Sequence, residues 1–348
     1  MSTVLSTLQP GFLRDVLSSL GSFITWTKAL ALLLVITNIK NLPFIWHVRL
    51  LYHFLFNLRW KPSDPFFPKG KALLDAQGKP THPVFVTCKI TSRTPLLETD
   101  YNLHKSNSTY FSDLDVSRTA LVTRLFSPGV GLVSKELDQE FLEMSQKEGK
   151  RAPKRKPIMI VLGSVYCSFK REIKPFERYE VHSKVISWDK KWLYILSSFM
   201  RPASRAGGER TLLATALSKY VVKKGRLTVE PGRILRLAGF LPTPPAGHSA
   251  AKFNADSSAE ASAVDTPVSS EGITAAGGVD GPLAREILKL NDDELPSREA
   301  LEEQRDTNAK SWDSNEWSWE RIEQERLRGL RVVDGYINLD AQLSAEWS

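Results

Sequence analysis

The residues whose types and spacing could do chemistry are concentrated in one short stretch, residues 98–110. Asp100 stands in a predicted loop directly before a predicted helix, and Ser106 or Asn107 is expected to be the N-cap of that helix. The first turn of a helix leaves backbone N–H groups unpaired, and such groups can stabilise a developing oxyanion. A carboxylate close to them can attack a carbonyl carbon or activate water. The stretch therefore predicts acyl-transfer chemistry with Asp100 as the catalytic group.

The elements that must position this stretch are one strand before it, one long helix within and after it, and several strands further along. The strand is a β-branched run at residues 84–94, and the helix is an apolar pattern at helical spacing over residues 107–126. The later strand-like runs are residues 158–169, 179–188, 192–200 and 211–222. This order favours an α+β fold in which an antiparallel sheet wraps around one long helix.

The pattern Asp-x-x-x-His-x-x-Asn-x-x-Tyr, formed here by Asp100, His104, Asn107 and Tyr110, resembles the active-site stretch of 4-hydroxybenzoyl-CoA thioesterase-like hotdog proteins. The usual form reads Asp-x-Asp-x-x-Gly-His-x-Asn-Asn-x-x-Tyr. A second stretch, Lys174-Pro-Phe-Glu-Arg-Tyr-Glu-Val followed by Ser187-Trp-Asp-Lys-Lys-Trp-Leu-Tyr, is similar to the membrane-linked thioesterase-superfamily-member-six proteins and their fungal biosynthetic-cluster relatives. The resemblance implies a hotdog fold that works as a homodimer, with its site between the subunits.

The resemblance also implies a role for each matching position. Asp100 falls at the catalytic carboxylate and His104 at the usual histidine, while Asn107 opens the helix that polarises the thioester carbonyl. The remaining candidates are expected to contact the substrate: Glu98, Ser106 and Tyr110. Three positions depart from the usual pattern, which has aspartate, glycine and asparagine where this chain has Glu98, Leu103 and Ser106.

We therefore expect an acyl-thioester hydrolase that acts on fatty or polyketide acyl groups, carried by coenzyme A or by a carrier protein, in lipid or secondary-metabolite biosynthesis. One alternative is a non-catalytic, membrane-attached protein that binds acyl chains or a protein partner, which the three departures favour. Another is a hotdog dehydratase or hydratase, whose Asp-x-Asn-Pro-Leu-His motif is one residue longer than Asp100-Tyr-Asn-Leu-His104 and contains a proline. Nucleic acid is not expected as a partner, because no recognition motif accompanies the positive charge.

The N-terminal region predicts attachment to a membrane. Residues 17–39 form a nearly span-length apolar run, and residues 43–58 combine aromatic and cationic residues as interfacial helices do. The excess of cations after the first run places the following domain in the cytosol, with the endoplasmic reticulum as a candidate membrane. A shallow attachment to one leaflet is the alternative to a single span.

The remaining features divide the 348 residues into parts. Membrane and interfacial helices are expected over 1–60, a connector over 61–83, the hotdog domain over 84–240, a disordered linker over 241–282, and a charged helical tail over 283–348. The net charge of +8 suits an anionic partner. Two cysteines without a CxxC pair and six scattered histidines predict no disulfide framework, no metal site and no cofactor.

Overall fold

The computed structural model describes residues 26–58, 61–67, 73–75, 78–149, 156–203, 205, 208–245 and 296–346. Within them the helices are α1 (Trp26–Thr37), α2 (Ile45–Asn57), α3 (Tyr110–Lys147), α4 (Pro231–Leu237), α5 (Arg298–Ala309) and α6 (Trp319–Ala345). The strands are β1 (Cys88–Arg93), β2 (Ile158–Phe169), β3 (Arg178–Trp188), β4 (Trp192–Arg201), β5 (Thr211–Lys224) and β6 (Leu227–Val229).

The strands form one antiparallel sheet in the order β1-β3-β4-β5-β2, with β6 paired to β5. The long helix α3 packs against β1 and β3, and the sheet surface behind it is apolar. The alternation of side chains along β1 gives the sheet one buried face: Cys88, Ile90 and Ser92 are buried, while the residues between them are exposed. The α+β hotdog architecture predicted from the sequence is therefore confirmed.

Helix α3 is longer than the predicted residues 107–126 because it continues through Pro128 and Gly129. Both residues ordinarily weaken a helix, and the sequence therefore predicted its end nearby. Tertiary packing outweighs that local preference. A Cβ atom on Gly129 would lie 2.1 Å from the carbonyl oxygen of Ile234, so glycine is what lets α4 approach α3 this closely.

The described residues do not support the membrane helix predicted over residues 17–39. Helix α1 has 12 residues, and a short 3-10 helix, Ile39–Asn41, follows it. Residues 17–25 lie outside the described part of the chain. Within the described part, no helix combines the length and apolar character that crossing a bilayer requires. A helix predicted over 43–58 is present as α2, which packs on α3, while its interfacial location stays a prediction.

The C-terminal helices are packed against the sheet and its connections. The indole Nε1 of Trp312 donates to the carbonyl oxygen of Gly239 at 3.0 Å, and the amide of Asn308 donates to that of Ala238 at 2.7 Å. On α6, Arg326 donates to the carbonyl oxygen of Trp188 at 2.7 Å. Most of the predicted linker, together with residues 283–295 of the predicted tail, lies outside the described residues, so the proposed domain limits stay a prediction.

Candidate active site

The stretch that contains Asp100 is a short hairpin that precedes α3. The N–H of Ser106 donates to the carbonyl oxygen of Glu98 at 2.7 Å, and Thr99 pairs with Lys105 across the hairpin. At its tip, the N–H of Asp100 donates to the carbonyl oxygen of His104 at 2.9 Å. The backbone thus brings Asp100 and His104 together and fixes both residues relative to the helix start.

The side chains of Asp100 and His104 lie side by side at the tip of this hairpin. Oδ2 of Asp100 is 3.5 Å from Nδ1 of His104, while Oδ1 accepts the N–H of Asn102 at 2.9 Å. The two side chains are 22% and 27% exposed, so water or a substrate can reach them. One carboxylate oxygen therefore supports the turn, and the other faces the imidazole.

Leu103 explains how the hairpin keeps its shape despite a departure from the usual pattern. Its φ angle is +60°, in the left-handed region that glycine favours and where the usual pattern has glycine. A leucine held there costs on the order of 1 kcal/mol or more. The turn is therefore retained at the expense of backbone strain, and the leucine side chain is exposed beside Asp100.

The start of the helix differs from the prediction in how it is capped. A 3-10 turn, Asn107–Thr109, precedes α3, and Ser106 makes no side-chain capping hydrogen bond. Asn107 caps nothing either, and Thr109 holds the N-cap position of α3 without a capping bond. Within the described part of the chain, the N–H groups of Asn107 and Ser108 donate to no acceptor. These two amides are thus available to an oxyanion, which is the chemistry predicted for this helix end.

Two of the residues predicted to contact substrate are placed elsewhere. Tyr110 is buried, with its ring packed against the rings of Phe169 and Phe199 in the core. Glu98 is also buried, and its Oε2 accepts from the ammonium group of Lys105 at 2.5 Å. The correction has a simple reason, because a carboxylate so enclosed is bound to an internal cation rather than presented to a ligand.

A buried cluster of charges lies beneath the hairpin, and the sequence reading missed it. Its centre is Asp113, which is fully buried on α3. Its carboxylate oxygens lie 2.9 Å from Nζ of Lys40, 2.8 Å from Nη2 of Arg49 and 3.2 Å from Nζ of Lys105. Lys40 also donates to Glu98 at 2.9 Å. Two carboxylates and three cations, from the N-terminal segment, the hairpin and α3, are joined here.

The electrostatics of the cluster depend on its burial. Burial alone would raise the pKa of Asp113, but Lys40, Lys105 and Arg49, together with a hydrogen bond from the hydroxyl of Tyr179, hold this pKa well below its ordinary value. Burial lowers the pKa of Lys40, and the attraction of Asp113 opposes that shift. One sequence signal could have revealed the cluster: Asp113 is a charged residue on the helix face that also carries Tyr110 and Leu114.

Comparison with known proteins places this geometry in a family. The thioesterase-like superfamily matches residues 94–231, which include the Asp100 hairpin, α3 and strands β2 to β5. The thioesterase lcsJ of Purpureocillium lilacinum is 33% identical over 344 residues, covering 94% of this chain and 95% of its own. The chain belongs to the thioesterase-like superfamily.

Two further relatives of this chain are also named as thioesterases. The probable thioesterase atnL of Emericella nidulans is 37% identical over 71% of this chain and 85% of its own length. The thioesterase poxG of Penicillium oxalicum is 36% identical over 62% of this chain and 71% of its own. By class, this thioesterase-like chain is a thioester hydrolase. Lys40 and Arg49, which complete the buried cluster, lie outside the matched superfamily segment.

Proposed function

We propose that this chain hydrolyses a fatty or polyketide acyl thioester, with Asp100 as nucleophile or general base. One observation carries the proposal: a partly exposed carboxylate lies beside an imidazole, directly before a helix start with two unbonded amides. If the amides of Asn107 and Ser108 donate to the carbonyl oxygen of the thioester, the carbonyl carbon becomes more electrophilic. His104 is proposed to orient the free oxygen of Asp100.

Two routes fit this arrangement and share their first requirement, a polarised carbonyl. In one, Asp100 attacks the carbonyl carbon, the C–S bond breaks, and the thiolate leaves and is protonated; water then hydrolyses the aspartyl anhydride. In the other, Asp100 removes a proton from water as the water attacks, and the thiolate leaves with a proton from the medium. Both routes yield a carboxylic acid and a free thiol, with no cofactor.

The homodimer expected from the resemblance is also part of the proposal. Within the described residues, strand β2 lies at one edge of the sheet, and one side of its backbone has no partner strand there. Two of its aromatic side chains, Tyr166 and Phe169, are exposed. Phe169 also touches Tyr110 near the start of α3, so a subunit paired along β2 would lie close to the site. The resemblance to fungal biosynthetic-cluster thioesterases makes lipid or secondary-metabolite biosynthesis the proposed setting.

The function is tested with the purified full chain and a panel of acyl-CoA thioesters, from acetyl to long-chain and 3-oxoacyl groups, with release of free thiol as the readout. We expect thiol release that saturates with substrate concentration. Saturable binding of acyl-CoA without thiol release would instead favour an acyl-binding protein. Hydration of a 2-enoyl-CoA with the thioester intact would favour the hydratase alternative.

For localisation, we propose that the chain attaches to one leaflet of a membrane, with its hotdog domain in the cytosol. Helix α1 has no buried residue, and its large apolar side chains are all exposed: Trp26, Leu30, Leu32, Leu33, Leu34, Val35 and Ile36. A groove on a protein would cover one face of such a helix, whereas lipid covers every face.

Attachment through α1 predicts a specific loss on mutation. Leu33→Ser with Ile36→Ser is expected to weaken flotation of the full chain with phospholipid vesicles by about a hundredfold. Each large apolar side chain contributes at least about 1.5 kcal/mol when buried, and 1.4 kcal/mol is a factor of ten. The control is Leu343→Ser, which changes an exposed leucine of α6. Equal flotation of both proteins would remove α1 from membrane binding.

A further inference from the structure

Two arginines lie directly opposite each other where β1 ends and β3 begins. Arg93 and Arg178 are partners in the antiparallel register, so their side chains project from the same face of the sheet. Both are exposed, and neither has a carboxylate within 4.0 Å in the described part of the chain. Like charges in directly opposed positions destabilise a sheet. Their placement is therefore unfavourable for the free protein and suits the binding of an anion.

The connector between β2 and β3 adds further cations beside these arginines. Lys170, Arg171 and Lys174 are exposed, and the described residues provide no ion-pair partner for any of them. The connector also contains Glu177, but Arg201 occupies that carboxylate with two hydrogen bonds. Glu172 is then the one further acid in the connector. We call Arg93, Lys170, Arg171, Lys174 and Arg178 the cationic patch.

An aromatic ring and an open surface depression border the cationic patch. Phe176 is half exposed at φ +62°, a conformation that strains a non-glycine residue. It is held there because its N–H donates to the carbonyl oxygen of Thr94 at 2.7 Å. Phe176 lines an open surface depression together with Lys174, Pro175, Arg201 and Glu177, whose carboxylate Arg201 occupies. A ring kept at the surface among cations can stack on a nucleobase whose phosphates those cations bind.

The cationic patch also adjoins the candidate active site. The N–H of Lys105, in the Asp100 hairpin, donates to the carbonyl oxygen of Ile173, in the connector, at 2.8 Å. Resting on the proposed thioesterase function, we propose that the cationic patch binds the phosphate groups of coenzyme A, with Phe176 against its adenine. The substrate is then an acyl-CoA. The phosphopantetheine of a carrier protein offers a single phosphodiester and no nucleobase, so it would leave most of this surface unused.

The experiment compares one acyl group on two thiols, coenzyme A and N-acetylcysteamine, which lacks the nucleotide and the phosphates. For Arg93→Ser and for Arg178→Ser we expect KM for the acyl-CoA to rise about tenfold, because a hydrogen bond between charged groups is lost. KM for the N-acetylcysteamine thioester should not change. Thermal unfolding should occur at or above the wild-type temperature, because each change removes a like-charge contact.

Lys89→Ser is the matched control. Lys89 lies on the same face of β1 as Arg93, but its ammonium group is paired with Glu180 at 3.1 Å. KM for both thioesters should stay at the wild-type value in this variant. Phe176→Ala should raise KM for the acyl-CoA alone, which separates stacking on adenine from a general effect of charge.

Other results would overturn the proposal. An equal rise in KM for both thioesters would mean that the arginines act on the hairpin, and an unchanged KM for acyl-CoA would mean that the patch binds no substrate phosphate. A loss of binding to phosphatidylserine vesicles with unchanged KM would identify lipid as the phosphate source. If the wild type hydrolyses neither thioester, the proposed function fails, and calorimetry with coenzyme A on the wild type and Arg178→Ser tests the patch independently.

Discussion

Asp113→Asn is expected to lower the free energy of unfolding by about 3–5 kcal/mol, because it leaves the buried Lys105 and the partly buried Lys40 and Arg49 with one carboxylate. The amide keeps the size of the side chain and one acceptor oxygen for the hydroxyl of Tyr179, so the loss is one of charge rather than of packing. Denaturant unfolding followed by circular dichroism measures the difference.

The control for this prediction is Glu140→Gln on the same helix. Glu140 pairs with Arg233 at 2.9 Å, and the two side chains are 46% and 26% exposed, so the loss should be about 1 kcal/mol or less. Adding Lys40→Met to Asp113→Asn should restore part of the stability, because it removes one of the cations that then share the single carboxylate of Glu98. A loss below about 1 kcal/mol in Asp113→Asn would show that the cluster is effectively solvated.

The pH dependence of this difference has a definite sign. The pKa of Asp113 is lowered on folding from its ordinary 3.8, so its contribution is fully present above that value. As the pH falls below about 4, the unfolded chain binds a proton there before the folded chain does, and the contribution is progressively lost. The stabilities of the wild type and Asp113→Asn should therefore converge in acid.

Local sequence patterns were sufficient to predict the sheet and the position of Asp100 in a loop directly before the long helix. Strands such as residues 158–169 have β-branched composition and clear turn residues around them, and these signals act over a few positions. The approach of Asp100 to His104 follows from one tight turn. Such features need no knowledge of distant residues, which is why the sequence was informative about them.

The buried cluster could not be predicted in the same way. Lys40 and Asp113 are 73 positions apart, and their contact depends on how α2 packs on α3. The end of α1 at Thr37 could not be predicted for a related reason, because it depends on contacts with the folded domain. Asn38 accepts the N–H of Leu97 at 2.7 Å, and Lys40 enters the cluster.

Asp100→Asn is expected to lower kcat by at least about a hundredfold while leaving the fold intact, because the variant can neither attack a thioester nor accept a proton. The amide oxygen of asparagine can still accept the N–H of Asn102, so the hairpin tip is preserved. Thiol release under saturating substrate gives kcat, and an unchanged unfolding transition shows that the loss is chemical.

Asp313→Asn is the matched control, since Asp313 accepts the N–H of Asn315 at 2.8 Å in the same local turn, on the connection between α5 and α6. It should turn over at the wild-type rate. Label in the Asp100 carboxylate after a single turnover of the wild type in oxygen-18 water would identify the nucleophilic route, because it requires an anhydride at that residue that water opens at the aspartyl carbonyl. Wild-type kcat in a folded Asp100→Asn protein would exclude Asp100 from the mechanism. The amides of Asn107 and Ser108 could then still polarise the carbonyl, but another group would have to activate the water.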